Sequence, residues 1–258
     1  MFFKFTHLMK KYFKKFKTEP IKTFIKKLLK NRTVRSKKKE SMFINKSVKN
    51  IFTDIYRANY WNGEKSISGT GSDISQVRTI IEQLNPLIKK FNIKTVLDLP
   101  CGDFNWMRHV DLNNVSYLGV DIVEEIISNN INIYSKKNIH FKTKDLINDP
   151  ISKYDLIINR DCLVHLSFDD IYKSLQNIKL SQSKFLLTTT FTNRHQNIDI
   201  CTGEWRPLNL NISPFNFPEP RLIINENCTE FKNAYNDKSL ALYHIDEFEL
   251  PNRPFKKT

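Results

Sequence analysis

Four carboxylates stand at or just beyond the ends of short apolar runs. They are Asp98 in Thr95–Leu99, Asp121 closing Tyr117–Asp121, Asp145 after Asn138–Phe141, and Asp161 after Tyr154–Asn159. Runs of this length bounded by turn residues read as buried parallel strands. Ligands of an open α/β sheet bind at the carboxyl ends of such strands, where a carboxylate accepts hydrogen bonds from hydroxyls or amines. Asp121 follows Asp98 by 23 residues, a position and spacing suited to an acid that takes both hydroxyls of a ribose. The alternative is a helix N-cap ahead of Val123–Ile127. Asp98 leads into a tight turn in which Pro100 sets the backbone and Gly102 lets a ligand approach closely. The turn has neither G-x-G-x-x-G nor G-x-x-x-x-G-K-[ST], so neither a dinucleotide pyrophosphate nor a phosphate-cradling loop is indicated. Asp161 and His165 lie four apart, so one helical turn would set both on one face. They are candidates for a base and its partner, or for a pair that orients substrate or metal. The alternative for His165 is simple packing beside the ligand.

Asp98-Leu-Pro-Cys-Gly-Asp103 resembles the first motif of class I S-adenosylmethionine-dependent methyltransferases, acid-x-Gly-x-Gly-x-Gly. Pro100 and Phe104 stand where that family most often has glycine, and only Gly102 remains. Asp155-Leu-Ile-Ile-Asn159, followed by a loop and His165, is similar to the family's fourth motif. The resemblance covers about residues 90 to 250. It implies an α/β, Rossmann-like, doubly wound and mostly parallel seven-stranded sheet, with a C-terminal antiparallel hairpin and an N-terminal helical extension. It also implies S-adenosylmethionine as cofactor, with Asp98 and Gly102 holding the methionine portion, Asp121 the ribose and Asp145 the adenine. In this class a segment just before the first strand often covers the cofactor, which makes Gly69 and Gly71 candidates to close over it. An ordinary turn before a helix is the alternative. Such an enzyme aligns an acceptor atom with the electrophilic methyl group and removes a proton. Asp161, His165 and His195 are the candidate bases.

Between the fifth apolar run, Lys184–Thr190, and a closing pair, Arg221–Asn225 and Ser239–His244, lies a long polar insertion. Irregular segments of this length are uncommon unless functional. Trp205, Arg206 and Asn209 within it are residue types that bind polyhydroxylated or anionic acceptors, which points to O-methylation of a small-molecule or glycan hydroxyl. A structured loop with Trp205 plugging the edge of the core is the alternative. RNA or protein methylation is the rival activity, and a non-catalytic, membrane-tethered binding module is the rival of another class.

These groups need elements to position them. Asp73 with Gln76 resembles a helix N-cap pair before the stripe Ile74, Val77, Ile81, Leu84 and Ile88, and Ser167 with Asp170 resembles a capping box before Ile171, Leu175 and Ile178. A further helix is expected within Phe43–Tyr60. Residues 1–42 are read as a basic amphipathic tail and linker. Residues 43–258 are read as the methyltransferase domain, with a helical cover over 43–90 and the Rossmann-like core over 91–258. Residues 1–50 hold 17 of the 41 Lys/Arg but two of the 27 Asp/Glu, so the charge of +14 belongs to the tail and the rest is near neutral. Phe and Leu at helical spacing among those lysines fit an anionic membrane surface contacted through residues 1–30; packing on the chain's own domain fits equally, and nucleic acid less well. The four cysteines show no C-x-x-C pair and no zinc spacing, so no metal is expected. The expected setting is a reducing cytoplasm, with the chain free or peripheral on a membrane.

Overall fold

The computed structural model describes residue 43 and residues 45–250. The expectations for the basic tail therefore lie outside the described residues. Seven strands form one sheet: β1 (Thr95–Asp98), β2 (Ser116–Asp121), β3 (Ile139–Thr143), β4 (Leu156–Asn159), β5 (Phe185–Phe191), β6 (Leu222–Asn225) and β7 (Lys238–His244). Their order across the sheet is β3-β2-β1-β4-β5-β7-β6. The first five run parallel, and β7 is antiparallel to both β5 and β6. This is the doubly wound sheet with a closing hairpin that the sequence led us to expect.

The strands are short and apolar because both faces of the sheet are covered. Successive residues alternate between two cores. Val96, Leu156, Ile158, Leu187, Leu240 and Leu242 face one side, while Leu97, Ile157, Leu186, Ala241 and Tyr243 face the other. Four helices supply the cover: α1 (Val48–Arg57), α2 (Ile74–Lys90), α3 (Glu124–Tyr134) and α4 (Phe168–Leu180). Val77, Ile80, Leu84 and Leu87 of α2 pack on the first face, and Ile171, Leu175 and Ile178 of α4 on the second. Each such side chain contributes about 2 kcal/mol through burial.

Helix starts test the capping expectations. Ser167 Oγ accepts from the Asp170 N–H at 3.2 Å, as anticipated. Asp73 makes no side-chain cap on α2, and Gln76 instead exchanges hydrogen bonds with Thr229, accepting its N–H and donating to its hydroxyl. Sequence spacing alone misses this because the stronger partner comes from 153 residues away.

The insertion after β5 has no helix or strand, yet it is not a free loop. Leu208, Leu210, Phe215 and Phe217 enter the second core beside α4, and Phe191 N–H donates to the Leu208 carbonyl at 2.8 Å. Its polar residues serve the start of α4. Asp199 accepts the Phe168 N–H, and the Thr202 hydroxyl bridges the Ser167 N–H to the Asp170 carboxylate. The orphan donors of a helix N-terminus are thus met by the insertion.

Candidate active site

The strand order reverses between β1 and β4, the place where an open α/β sheet leaves a crevice for ligand. A cleft lies there, formed by the turn after β1, the end of β2 and the loops after β3 and β4. Because the strands stand β3-β2-β1-β4, the cleft presents Asp145, Asp121, Gly102 and then Asp161 with His165 in that spatial order. At about 4.8 Å per strand this row spans roughly 14 Å. Val48, Phe52 and Tyr56 bring one face of α1 to the same cleft.

Gly102 is held at φ +53°, and a Cβ there would overlap the Ser68 hydroxyl. Its N–H donates to Asp121 Oδ2 at 3.2 Å, while the Val123 N–H donates to Oδ1 at 3.0 Å. Each Asp121 oxygen keeps a lone pair for a ligand. Burial raises the Asp121 pKa to about 6 against the pull of these N–H groups. Asp145 turns its carboxylate to the Ile147 N–H and the Asn148 amide, at 2.8 and 2.7 Å. Phe104, at one of the family's glycine positions, adopts the left-handed conformation with φ +58°. It is buried among Tyr117, Tyr134 and Phe141.

The segment before β1 does lie over this turn. Asp103 fastens it by accepting the Ser66 hydroxyl and the Ile67 N–H, both at 3.0 Å. Asn105 donates to the Ser72 carbonyl and Arg160 to the Gly71 carbonyl, at 3.1 and 2.8 Å. Ile67, Ser68 and Ser72 line the cleft, whereas Gly69 and Gly71 do not. Gly69, at φ +95°, tucks against Trp61 instead.

Asp161 and His165 both line the cleft. His165 Nδ1 lies 2.9 Å from the Glu204 carbonyl. A carbonyl only accepts, so Nδ1 carries the proton of the neutral ring and Nε2 is a bare acceptor. Burial lowers the His165 pKa to about 4 and keeps the ring neutral. Trp61 leans on it with ring centroids 5.0 Å apart. Asp161 has φ +52°, and Lys238 and Arg160 hold its carboxyl far below the usual range despite burial. It is a permanent carboxylate.

Besides Gly69 and Gly71, five residues expected at the site lie elsewhere. Asp98 is 1% exposed beneath the turn and accepts the Tyr117 hydroxyl at 2.7 Å; burial raises it to about 7. His195 is exposed in the insertion and does not line the cleft. Arg206 is buried with its guanidinium spent on the carbonyls of Leu163, Leu166 and Ile198, at 2.9, 2.9 and 3.2 Å. Asn209 is spent on the Arg194 carbonyl and on the N–H of Asn211. Trp205 packs edge-on against Tyr235 and Phe191, with centroids 4.9 and 6.0 Å apart. Arg206 and Asn209 are withdrawn because the insertion uses its polar groups on its own backbone and on the loop after β4, whereas Asp98 is withdrawn by its buried bond to Tyr117.

The sequence did not single out Arg160, Lys238 and Glu226. Arg160 grips Glu226 through two nitrogens, at 3.2 and 2.7 Å. Glu226 and Lys238 are 66 and 77 residues away from Arg160 and Asp161 respectively, so no local pattern joins them. Asp103 stood inside the first motif but carried no signal of its partners in residues 66–68.

No protein-family model and no curated protein matches the chain. Among solved structures, it resembles human N-acetylserotonin methyltransferase in complex with S-adenosylmethionine, with TM-score 0.52 and 14% identity. That match covers 75% of this chain and 58% of the human protein. Looser likenesses are to magnesium protoporphyrin IX methyltransferase from Synechocystis PCC 6803 with S-adenosylmethionine bound (TM-score 0.47, 18% identity, 60% of this chain and 82% of that one) and to the methyltransferase domain of a bacterial Hen1 (0.40, 18%, 52% and 78%). The human structure shares the Rossmann-like fold with this chain.

Proposed function

We propose that this chain is a class I methyltransferase that binds S-adenosylmethionine in the cleft and methylates a hydroxyl of a small molecule. The observation that carries the proposal is the row Asp145, Asp121, Gly102, Asp161 and His165 along one crevice. The residues fit the cofactor. Gly102 lines the cleft and leaves no space for a Cβ, and Asp121 keeps lone pairs for a diol. Asp145 would meet the adenine and the Gly102 turn the methionine portion; Asp98 would act from below by holding Tyr117 and the turn. When bound, the cofactor supplies a methyl group made electrophilic by its sulfonium.

The chain's own residues then have three tasks. Ile67, Ser68 and Trp61 line the cleft beside Gly102 and would shield the reacting atoms from water. Trp61 and Tyr56 give the acceptor an apolar wall. His165 Nε2, unprotonated at neutral pH, accepts the acceptor's proton. A glycan acceptor loses its support with Arg206 and Asn209, whose donors are occupied within the fold. RNA methylation rests on the tail, outside the described residues.

Tritium from the labelled methyl group of S-adenosylmethionine, followed into the small-molecule, RNA and protein fractions of a cell extract, tests this. Label in the small-molecule fraction, lost with His165→Ala, is expected. Label confined to RNA or protein would replace the acceptor, and no label with folded protein would count against the enzyme.

A further inference from the structure

Asp161, itself partly exposed to the cleft, is one corner of a cluster of four charges whose other three members are buried. Lys238, the first residue of β7, is 5% exposed. Its Nζ lies 2.6 Å from Asp161 Oδ2 and 3.3 Å from Glu226 Oε2. Arg160 closes the square, 3.3 Å from Asp161 Oδ2 and 2.7 Å from Glu226 Oε2. Burying charges such as Arg160, Lys238 and Glu226 is expensive unless each is paired, and an uncharged packing of the same volume would often be as stable. The cluster therefore calls for a role beyond stability. Both cations bind the same oxygen, Oδ2. Oδ1 is left with a single long contact, the Thr189 hydroxyl at 3.4 Å, on a side chain that lines the cleft.

We propose that Lys238 is a positioning residue: with Arg160 it holds Oδ2 and fixes Asp161 in its left-handed conformation, so that Oδ1 faces a cationic group at the reacting end of the cleft. This rests on the cofactor reading above, in which adenine, ribose and the methionine portion would follow the row from β3 to β1, so that the transferred methyl group would face Asp161 and His165 on the neighbouring β4 loop. The groups facing Asp161 are Arg160 and His165 from its own loop, Lys238 from β7, and Glu226 and Glu230 from the segment after β6. His165 stays neutral above its pKa of about 4. Without Lys238, Arg160 at 3.3 Å is the main cation left to oppose burial, and the Asp161 carboxyl should rise.

The test is calorimetric binding of two probes between pH 5 and 8. One is S-adenosylhomocysteine, a neutral thioether. The other is sinefungin, which carries an amine at the transfer position. The wild-type chain should prefer sinefungin about tenfold at every pH. Asp161→Asn should abolish the preference. Lys238→Met should show the preference at pH 8 and lose it by pH 5, and Lys238→Arg should restore a flat profile. A preference unchanged in Asp161→Asn, or a flat profile in a folded Lys238→Met, would overturn the proposal. Failure of both probes to bind the wild type would instead sink the cofactor reading itself.

Discussion

Single residues here are legible through what they bond to. Phe104 occupies a left-handed position that glycine would take without strain, yet it fills a pocket of three aromatic rings. Relief of backbone strain is worth about 1–2 kcal/mol, and loss of a buried Phe about 3–5. Phe104→Gly, which restores the family's motif, should therefore lower stability by about 2–3 kcal/mol in urea titrations. Asp98 offers a pH test. Its pKa of about 7 lies above the ordinary carboxyl value, so the folded chain holds a proton that the unfolded chain has released. Stability must then fall as pH rises through 7. His165 acts in the opposite sense only between about 4 and 6.5, and Asp121 completes its loss near pH 6. From pH 6 to 8 the Tm should drop in the wild-type chain and stay nearly level in Asp98→Asn. Equal drops in both would contradict the assignment. The sequence exposed Asp121 and Asp161 because strand ends are visible as apolar runs. It could not separate Asp98, which has the same signature but turns under the sheet toward Tyr117.

Elements divide into those written locally and those written by partners. The parallel strands and α2 and α4 follow from runs and stripes that any reader of the sequence can mark. The insertion after β5 does not. Its Arg206, Asn209 and Trp205 have the residue types of an acceptor site, and only the fold reveals that their donors and rings are consumed at Leu163, Leu166, Arg194 and Tyr235. Arg206 ties the loop after β4 to the insertion through three carbonyls, and each charge-assisted bond contributes about 1.5 kcal/mol. Arg206→Ala should thus destabilise the chain by about 3 kcal/mol while cofactor affinity in the folded fraction changes less than threefold. A large loss of affinity at full stability would return Arg206 to the site.

At the scale of the molecule, charge and chemistry are segregated. The first 50 residues carry the excess of lysine and arginine, and the remainder is nearly neutral. Among the described residues no helix is long and apolar enough to cross a membrane. The full chain should bind vesicles containing phosphatidylserine and release them as salt rises, with Phe13→Ser and Phe16→Ser weakening binding at fixed salt. Binding to RNA that ignores those phenylalanines would favour the other reading of the tail. The central claim, however, concerns the crevice between β1 and β4 and the acid that closes β2. The most direct measurement is calorimetric titration of S-adenosylhomocysteine into the wild-type chain and into Asp121→Ala. Micromolar binding in the first and a loss of at least a hundredfold in the second, with Tm kept, is the expected result. A folded wild-type chain that takes up no S-adenosylhomocysteine, or an Asp121→Ala chain that binds it equally well, would contradict the account.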